Sequence, residues 1–484
     1  MVHRKKLPLD RPPATACVLR LSSLGDTCHA VPVLRALQRA WPQTKLTWII
    51  GKAESRLMEI MDGVEFITVD KRAGLAARRD LQERLRGRRF DVLLHMQLSF
   101  RASLVSSVVP ADIRLGFDKA RARELQWLFT NERIAPRSRE HVLASFLGFL
   151  EALGVRDRAL RWDLPLPPAA LDYARQLIPD SRPTLVISPC SSHSRRNWRP
   201  EAYAAVADHA VRRHGMRVIL AGGPTTVERD MGERIERAAH VPLVNQIGRD
   251  TLPQMLALLA RATALLSPDS GPAHMATMVG TPVIGLYAAT NPERSGPYLS
   301  RQWCVNAYPQ AALRFRGRPP EKLPWWEKIE EPGVMDLIEV APVTAKLDEL
   351  LVYRAMTDIL VPVSPGELLD KITILRIKVA RILDAAKLAN VRLELDLLER
   401  TWRESRFAAA DVARDERALQ EVNERLWDIE DRIRDKEARQ TFDREFIELA
   451  RAVYHSNDER AAIKKRINTA LGSRLVEEKS YKAY

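Results

Sequence analysis

The sequence predicts an α/β protein: two doubly wound, Rossmann-like halves in tandem, followed by a mostly α-helical C-terminal module. Three observations predict it. Short apolar runs alternate with helical periodicity twice over, the pattern of βαβ units in a parallel sheet. A proline-rich stretch at 164–168 separates the two series. Beyond about residue 355 the pattern changes to long helical runs, and residues 390–470 have heptad-like spacing with alternating charge and almost no Gly or Pro.

In the first series, strands are expected at 17–21, 45–50, 65–69, 91–95 and 113–116, with helices between them at 31–40 and 75–86. The second series has strands at 184–188, 217–221, 243–246, 264–267 and 282–287 and helices at 199–214, 227–239 and 251–261. Two such halves leave a cleft between them, and clefts of this kind bind nucleotides or sugars. The domain boundaries implied are 1–165, 166–352 and 355–484. In the last module, Ser364-Pro365-Gly366-Glu367 supplies an N-cap, a proline at the first helical position and a capping-box glutamate. A run through Leu368, Leu369, Ile372, Leu375, Val379 and Ile382 follows.

The 484 residues are 46% hydrophobic and 29% charged, a soluble globular composition. No apolar run approaches the roughly 20 residues that span a bilayer. The basic, proline-rich start is not followed by an apolar segment, so neither a secretion signal nor a transmembrane anchor is expected, and the protein is expected in the cytoplasm. Cys17, Cys28, Cys190 and Cys304 lack CxxC spacing, which argues against a zinc site or a disulfide framework.

The net charge of +14 is uneven. Residues 1–165 hold 29 Lys and Arg against 18 Asp and Glu (+11), residues 166–354 hold 22 against 19 (+3), and residues 355–484 hold 25 against 25. A basic first half suits an anionic lipid surface, a phosphorylated substrate or nucleic acid, although the arginine-rich composition of a GC-rich genome would give the same bias. No aromatic interleaving or recognisable nucleic-acid module accompanies the charge, so nucleic acid is not expected as a partner.

Three glycine turns and one polar loop carry chemistry. Ser22-Ser23-Leu24-Gly25-Asp26 follows the first strand and puts a carboxylate at a strand's C-terminal end, where ligands of such sheets collect. Asp26 could equally cap the helix that follows, and both roles can coexist. Ser191-Ser192-His193-Ser194-Arg195-Arg196 joins a strand to a helix and offers hydroxyls, amides and guanidinium groups for a phosphate; a solvated basic loop is the alternative. Gly222-Gly223-Pro224 precedes Glu228, which could hold ribose hydroxyls or simply serve the helix dipole. Asp269-Ser270-Gly271 opens the helix that carries His274: a ligand turn, or an ordinary cap with a packed histidine.

Together and in this order, Ser-Ser-Leu-Gly-Asp with His-Ala-Val-Pro, Ser-Ser with Arg-Arg-Asn-Trp, Gly-Gly-Pro with Glu228, and Pro-Asp-Ser-Gly-Pro-Ala-His-Met-Ala with Gly-Thr-Pro-Val-Ile-Gly-Leu-Tyr resemble the ADP-heptose:lipopolysaccharide heptosyltransferase family, glycosyltransferase family nine, over about residues 15–352. The resemblance implies a GT-B fold, an acceptor-binding first half, a nucleotide-sugar-binding second half and an inverting, metal-independent transfer without a cofactor. It implies Asp26 as the base, with desolvation raising its basicity. It implies Ser191, Ser192, Arg196, Glu228, Asp269, Ser270, Gly271 and His274 as the donor site, with Glu228 on the ribose, Asp269 near the sugar hydroxyls and His274 near the diphosphate. Ser23, Gly25, Arg121 and Arg123 are the acceptor-side candidates. Arg196 stands where the family often has lysine, and arginine adds bidentate phosphate recognition.

The implied partners are a nucleotide-sugar donor, ADP-heptose, and an anionic glycolipid acceptor. A basic acceptor half suits peripheral contact with the inner membrane, its densest cluster being Arg78, Arg79, Arg84, Arg86, Arg88 and Arg89. A family member with another donor or acceptor, and a non-catalytic nucleotide-sugar-binding scaffold, are the competing readings. The last module looks like an uncharacterised domain found beside sugar-transfer genes. It has no cysteine and one histidine, His455, which favours oligomerisation or protein docking over a second activity. The polar cluster from Tyr454 to Arg460 is either a binding pocket or an interhelical loop.

Overall fold

In the computed structural model, which describes residues 7–355, 361–408 and 410–475, the first series runs β1 (Thr15–Leu19), α1 (Leu24–Ala40), β2 (Lys45–Gly51), α2 (Lys52–Met58), β3 (Val64–Val69), α3 (Gly74–Arg84), β4 (Phe90–His95), α4 (Phe100–Ser106), β5 (Ala111–Gly116), β6 (Glu132–Arg133) and α5 (Val142–Leu153). The strands form one parallel sheet in the order β3-β2-β1-β4-β5-β6. Alternate residues of β1 enter different clusters: Ala16 and Val18 pack with α1 and α5, Cys17 and Leu19 with Leu81 and Ala102 from α3 and α4. Coverage on both faces explains why these strands read as continuous apolar runs.

The second series runs α6 (Pro168–Leu177), β7 (Thr184–Ile187), α7 (Pro200–His214), β8 (Arg217–Leu220), α8 (Thr226–Ala238), β9 (Val244–Asn245), α9 (Leu252–Arg261), β10 (Ala264–Pro268), α10 (Gly271–Met278), β11 (Val283–Tyr287), α11 (Pro292–Ser295), β12 (Val305–Asn306), α12 (Tyr308–Arg316) and α13 (Val340–Ala355). Its sheet is also parallel, ordered β12-β11-β10-β7-β8-β9. Counted within each half, both sheets therefore read 3-2-1-4-5-6. Each has a switch point, between β1 and β4 and between β7 and β10, where the connections diverge and open a crevice at the strand ends.

The first helix starts seven residues earlier than its apolar periodicity indicates. Ser23 caps it, so Gly25 and Asp26 belong to its first turn rather than to a free turn before it. Pro32 lies inside this helix. A proline there removes the amide that would reach the carbonyl four residues back. That carbonyl, on Cys28, instead accepts from the buried Trp162 indole Nε1 at 3.0 Å. The interior proline is thus matched by a tryptophan from the segment joining the halves.

Residues Met1–Ala355 and Met356–Tyr484 form separate units. The second contains α14 (Pro365–Arg381), α15 (Ala385–Glu404), α16 (Ala413–Ala438) and α17 (Arg444–Ala470). Leu369, Ile372, Leu419, Val422, Ile463 and Ile467 make its core. Within it, Asp370 is 1% exposed; it accepts from Arg460 at 2.8–2.9 Å and from Asn423 at 2.9 Å. The Tyr454 to Arg460 segment is the middle of α17, not an interhelical loop.

Trp162→Phe keeps the aromatic bulk but strands the buried Cys28 carbonyl. It should lower stability by about 1–3 kcal/mol, read as a lower urea midpoint for the first unit.

Candidate functional site

The two switch points face each other, and α1 and α10 meet there. A Cβ built on Gly25 would lie 2.3 Å from His274 Cδ2, and one on Gly271 would lie 3.0 Å from Leu24 Cδ2. Each glycine admits the first turn of the other half's helix. Around this contact lies a cavity of about 1490 Å³, lined by residues of both halves.

From the first half comes Asp26, 29% exposed. Arg20, at the end of β1, donates to its Oδ2, joined by Ser23 Oγ at 3.1 Å and the Ser23 amide at 3.4 Å. Arg20 is itself fixed by the Met96 carbonyl (2.5 Å) and the face of Phe146 (5.3 Å). Burial pushes the Asp26 carboxyl up, but the charge of Arg20 and the Ser23 hydrogen bonds outweigh it and leave it below the usual range. This corrects the expectation that desolvation would raise its basicity: the arginine wins.

Behind Asp26, His29 stacks edge-on with His274 at 4.6 Å and with His141 at 5.5 Å. Burial holds all three below the ordinary imidazole range, His141 at about 3, and His274 stays low although Asp269 and Asp26 pull it up. At neutral pH the cluster is therefore uncharged.

The facing wall comes from the second half. Ser191 Oγ donates to the Asp269 carbonyl at 2.8 Å, and its amide to Asn197 at 2.7 Å. Ser270 caps α10 and shares a 2.8 Å hydrogen bond with Ser267. Arg196 spends Nε and Nη2 on Glu330, at 2.9 and 2.7 Å, and Nη1 lies 3.3 Å from Asp269. Glu228 accepts from the Gly223 amide at 2.9 Å and from Thr225 Oγ1 at 2.6 Å, so it shapes the Gly-Gly turn while lining the cavity.

Two cations here escaped the sequence reasoning. Lys328 and Arg294 line the cavity, and neither side chain forms an ion pair with a described carboxylate. Burial pulls both below their ordinary values. A desolvated cation without a partner is costly, so this pair calls for an anion.

Comparison with known proteins assigns the architecture. Residues 78–322 match the family described as "Glycosyltransferase family 9 (heptosyltransferase)". The chain is 40% identical over 338 residues to "Lipopolysaccharide core heptosyltransferase OpsX" of Haemophilus influenzae, a match covering 70% of this chain and 97% of that protein. The chain belongs to glycosyltransferase family 9. "Lipopolysaccharide heptosyltransferase 1" of Pseudomonas aeruginosa is 27% identical over 305 residues, 58% of this chain and 80% of that one. Among solved structures, a family 9 glycosyl transferase from Veillonella parvula (TM-score 0.58, 20% identity, 70% and 97% of the two chains) and "E. coli heptosyltransferase WaaC with ADP" (TM-score 0.54, 20% identity, 69% and 99%) share the GT-B fold. Residues 359–484 match a "Family of unknown function (DUF6165)".

In this glycosyltransferase the cavity collects Ser23, Gly25, Asp26 and Arg123 from one half with Ser191, Ser192, Arg196, Glu228, Asp269, Ser270, Gly271 and His274 from the other. Arg121 lies outside the cavity lining, engaged by Asp118, Glu140 (2.6 Å) and the Ala135 carbonyl (2.7 Å). Arg84, Arg86, Arg88 and Arg89 of the basic cluster each pair with a neighbouring carboxylate, which disperses its charge. One trio of metal-ligand type occurs among the described residues, His209, His214 and Asp348 on α7 and α13. None of the three lines the cavity, and both imidazoles already reach Asp348 at 2.6–2.7 Å.

Gly25→Ala should destabilise the first unit by about 1–3 kcal/mol, because His274 is boxed in by His29 and has nowhere to move. Gly271→Ala, meeting only the movable end of Leu24, should cost less. Thermal unfolding of the two variants measures the difference.

Proposed function

We propose that the chain transfers heptose from an ADP-heptose donor to a lipopolysaccharide core or related glycan, by an inverting, metal-independent displacement with Asp26 as general base. One observation carries this: an ionised carboxylate of one half faces two unpaired, desolvated cations of the other across a single cavity. The related lipopolysaccharide heptosyltransferases support the substrate class, and WaaC, solved with ADP, supports the nucleotide.

In the proposed step the acceptor hydroxyl oxygen bonds to the anomeric carbon as the carbon–oxygen bond to the diphosphate breaks. The bonding pair leaves with the phosphate oxygen, and the hydroxyl proton passes to Asp26. Asp26 remains ionised at neutral pH because Arg20 holds it low; it need take the proton only as the new bond forms. Arg20 positions it, and the uncharged histidines add no competing cation. Lys328, Arg294, the Ser191 and Ser192 hydroxyls and the N-terminus of α10 would meet the charge developing on the diphosphate. These groups supply what a metal would otherwise provide.

The acceptor half supports peripheral contact with an anionic leaflet on the cytoplasmic face. Leu75, Phe100, Leu125, Trp127 and Leu128 are exposed on α3, α4 and the adjoining turn, beside Arg72, Arg79 and Arg101. No helix of the described residues is long and apolar enough to cross a membrane. For the helical unit, docking or self-association remains the reading, supported by exposed Leu383 (95%), Phe442 and Ile447.

With ADP-heptose and truncated core acceptors, Asp26→Asn should cut transfer at least about 100-fold while ADP still binds; undiminished transfer would remove Asp26 as base. Arg20→Gln removes the guanidinium that holds the carboxyl low, so the Asp26 pKa rises. The acid limb of the pH–rate profile should then move to higher pH by about one unit or more. Vesicles containing phosphatidylglycerol should sediment the chain and phosphatidylcholine vesicles should not; equal sedimentation by both would argue against the membrane contact.

A further inference from the structure

Away from the cavity, the second half carries the His209, His214 and Asp348 cluster. The two histidines lie on α7, and Asp348 lies on α13, the last element of the first unit. Nε2 of His209 is 2.7 Å and Nε2 of His214 is 2.6 Å from the same carboxylate oxygen, Asp348 Oδ1. The imidazole rings are 5.6 Å apart and inclined at 67°, and the three ligand atoms all lie within 4.8 Å of one another.

Packing holds this set in place. Ala207 and Ala210 of α7 share a core with Val343, Leu347 and Leu350 of α13. Gly215, at a φ of 61°, ends α7 directly behind His214, and its amide returns to the Val211 carbonyl at 2.9 Å. Two packed helices therefore bring together donors that are more than a hundred residues apart in sequence, on elements rigid enough to keep them aimed at one point.

The chemistry of the donors selects the ion. Two imidazole nitrogens and one carboxylate oxygen suit zinc, whereas magnesium and calcium take oxygen ligands. Tetrahedral coordination with bonds of about 2.0–2.2 Å sets ligand atoms about 3.3 Å apart. Each nitrogen would then draw back from Oδ1 by only about 0.6–0.7 Å to admit the ion. All three side chains are half-buried, which leaves the fourth position to water. The C-terminal end of α7 carries partial negative charge and attracts a cation. Arg213 lies 3.4 Å from the other oxygen, Oδ2, where it steadies the carboxylate from outside the ligand set.

We propose that His209, His214 and Asp348 bind one zinc ion and thereby pin α13 to α7. None of the three lines the cavity, so the ion is structural and takes no part in the proposed transfer. The inference is independent of the donor-site reading. The scattered cysteines argue only against a thiolate site and have no bearing on this one.

Calorimetric titration of the intact chain, free of an affinity tag and stripped of metal with a chelator, tests this with zinc chloride. The unaltered chain should bind one zinc ion saturably. His209→Ala, His214→Ala and Asp348→Ala should each weaken binding at least about 10-fold, whereas replacing the exposed His240 by alanine should leave it unchanged. Zinc should also raise the thermal midpoint of the unaltered chain and not that of Asp348→Ala. Absence of saturable binding by the unaltered chain overturns the proposal, whether or not the variants fold. So do His209, His214 and Asp348 variants that hold zinc as tightly as the unaltered chain, which would leave the trio as a hydrogen-bonded clamp without metal.

Discussion

Two helices of different halves press their first turns together at the meeting of the sheets, and nearly everything in the cavity depends on that contact. Gly25 leaves room for His274, and Gly271 leaves room for Leu24. Because each glycine opens a helix that follows the first or fourth strand of its half, the contact joins the two switch points directly. A side chain at Gly25 would hold the helices apart. Asp26 would then recede from the wall that bears Asp269, Arg294 and Lys328.

That proximity sets the charge state of the site. Burial acts on every ionisable group here in the direction of neutrality, and only a fixed partner resists it. Asp26 has Arg20, so it stays ionised. The three histidines face one another and stay neutral. Arg294 and Lys328 lie near carboxylates that influence them without pairing with them, so they remain desolvated cations able to meet an anion.

Short-range pattern made much of this legible before any coordinates. Short apolar runs between helical stretches mark every strand but the two-residue β6 and β12 and so show two tandem halves, because parallel strands buried on both faces must be apolar throughout. Asp26, Ser191, Glu228 and Asp269 were visible because each sits in a turn beside glycine or serine at a strand end. Arg20, Arg294 and Lys328 carry no such mark. Arg20 is the tail of a strand, Arg294 lies in a one-turn helix, and Lys328 follows two tryptophans; only tertiary packing aims them inward. The start of α1 was misread because its first turn contains a glycine, which periodicity counts against a helix and which the approach of His274 requires. The downward shift of Asp26 was misjudged for the same reason that Arg20 was missed. Desolvation can be guessed from a cleft, whereas the charge that overrules it must be seen.

A site divided in this way couples binding to assembly. The carboxylate and its arginine belong to the first half; the unpaired cations, hydroxyls and helix N-terminus belong to the second. Neither half alone holds both the group that would accept a proton and the groups that would stabilise a leaving diphosphate. In the proposed transfer these two demands arise in one step, since the bond to the acceptor forms as the bond to the donor breaks. An anion bound to Arg294 and Lys328 would relieve the cost of their burial. In the proposed transfer the diphosphate held by these cations would face Asp26, the base, across the same cavity.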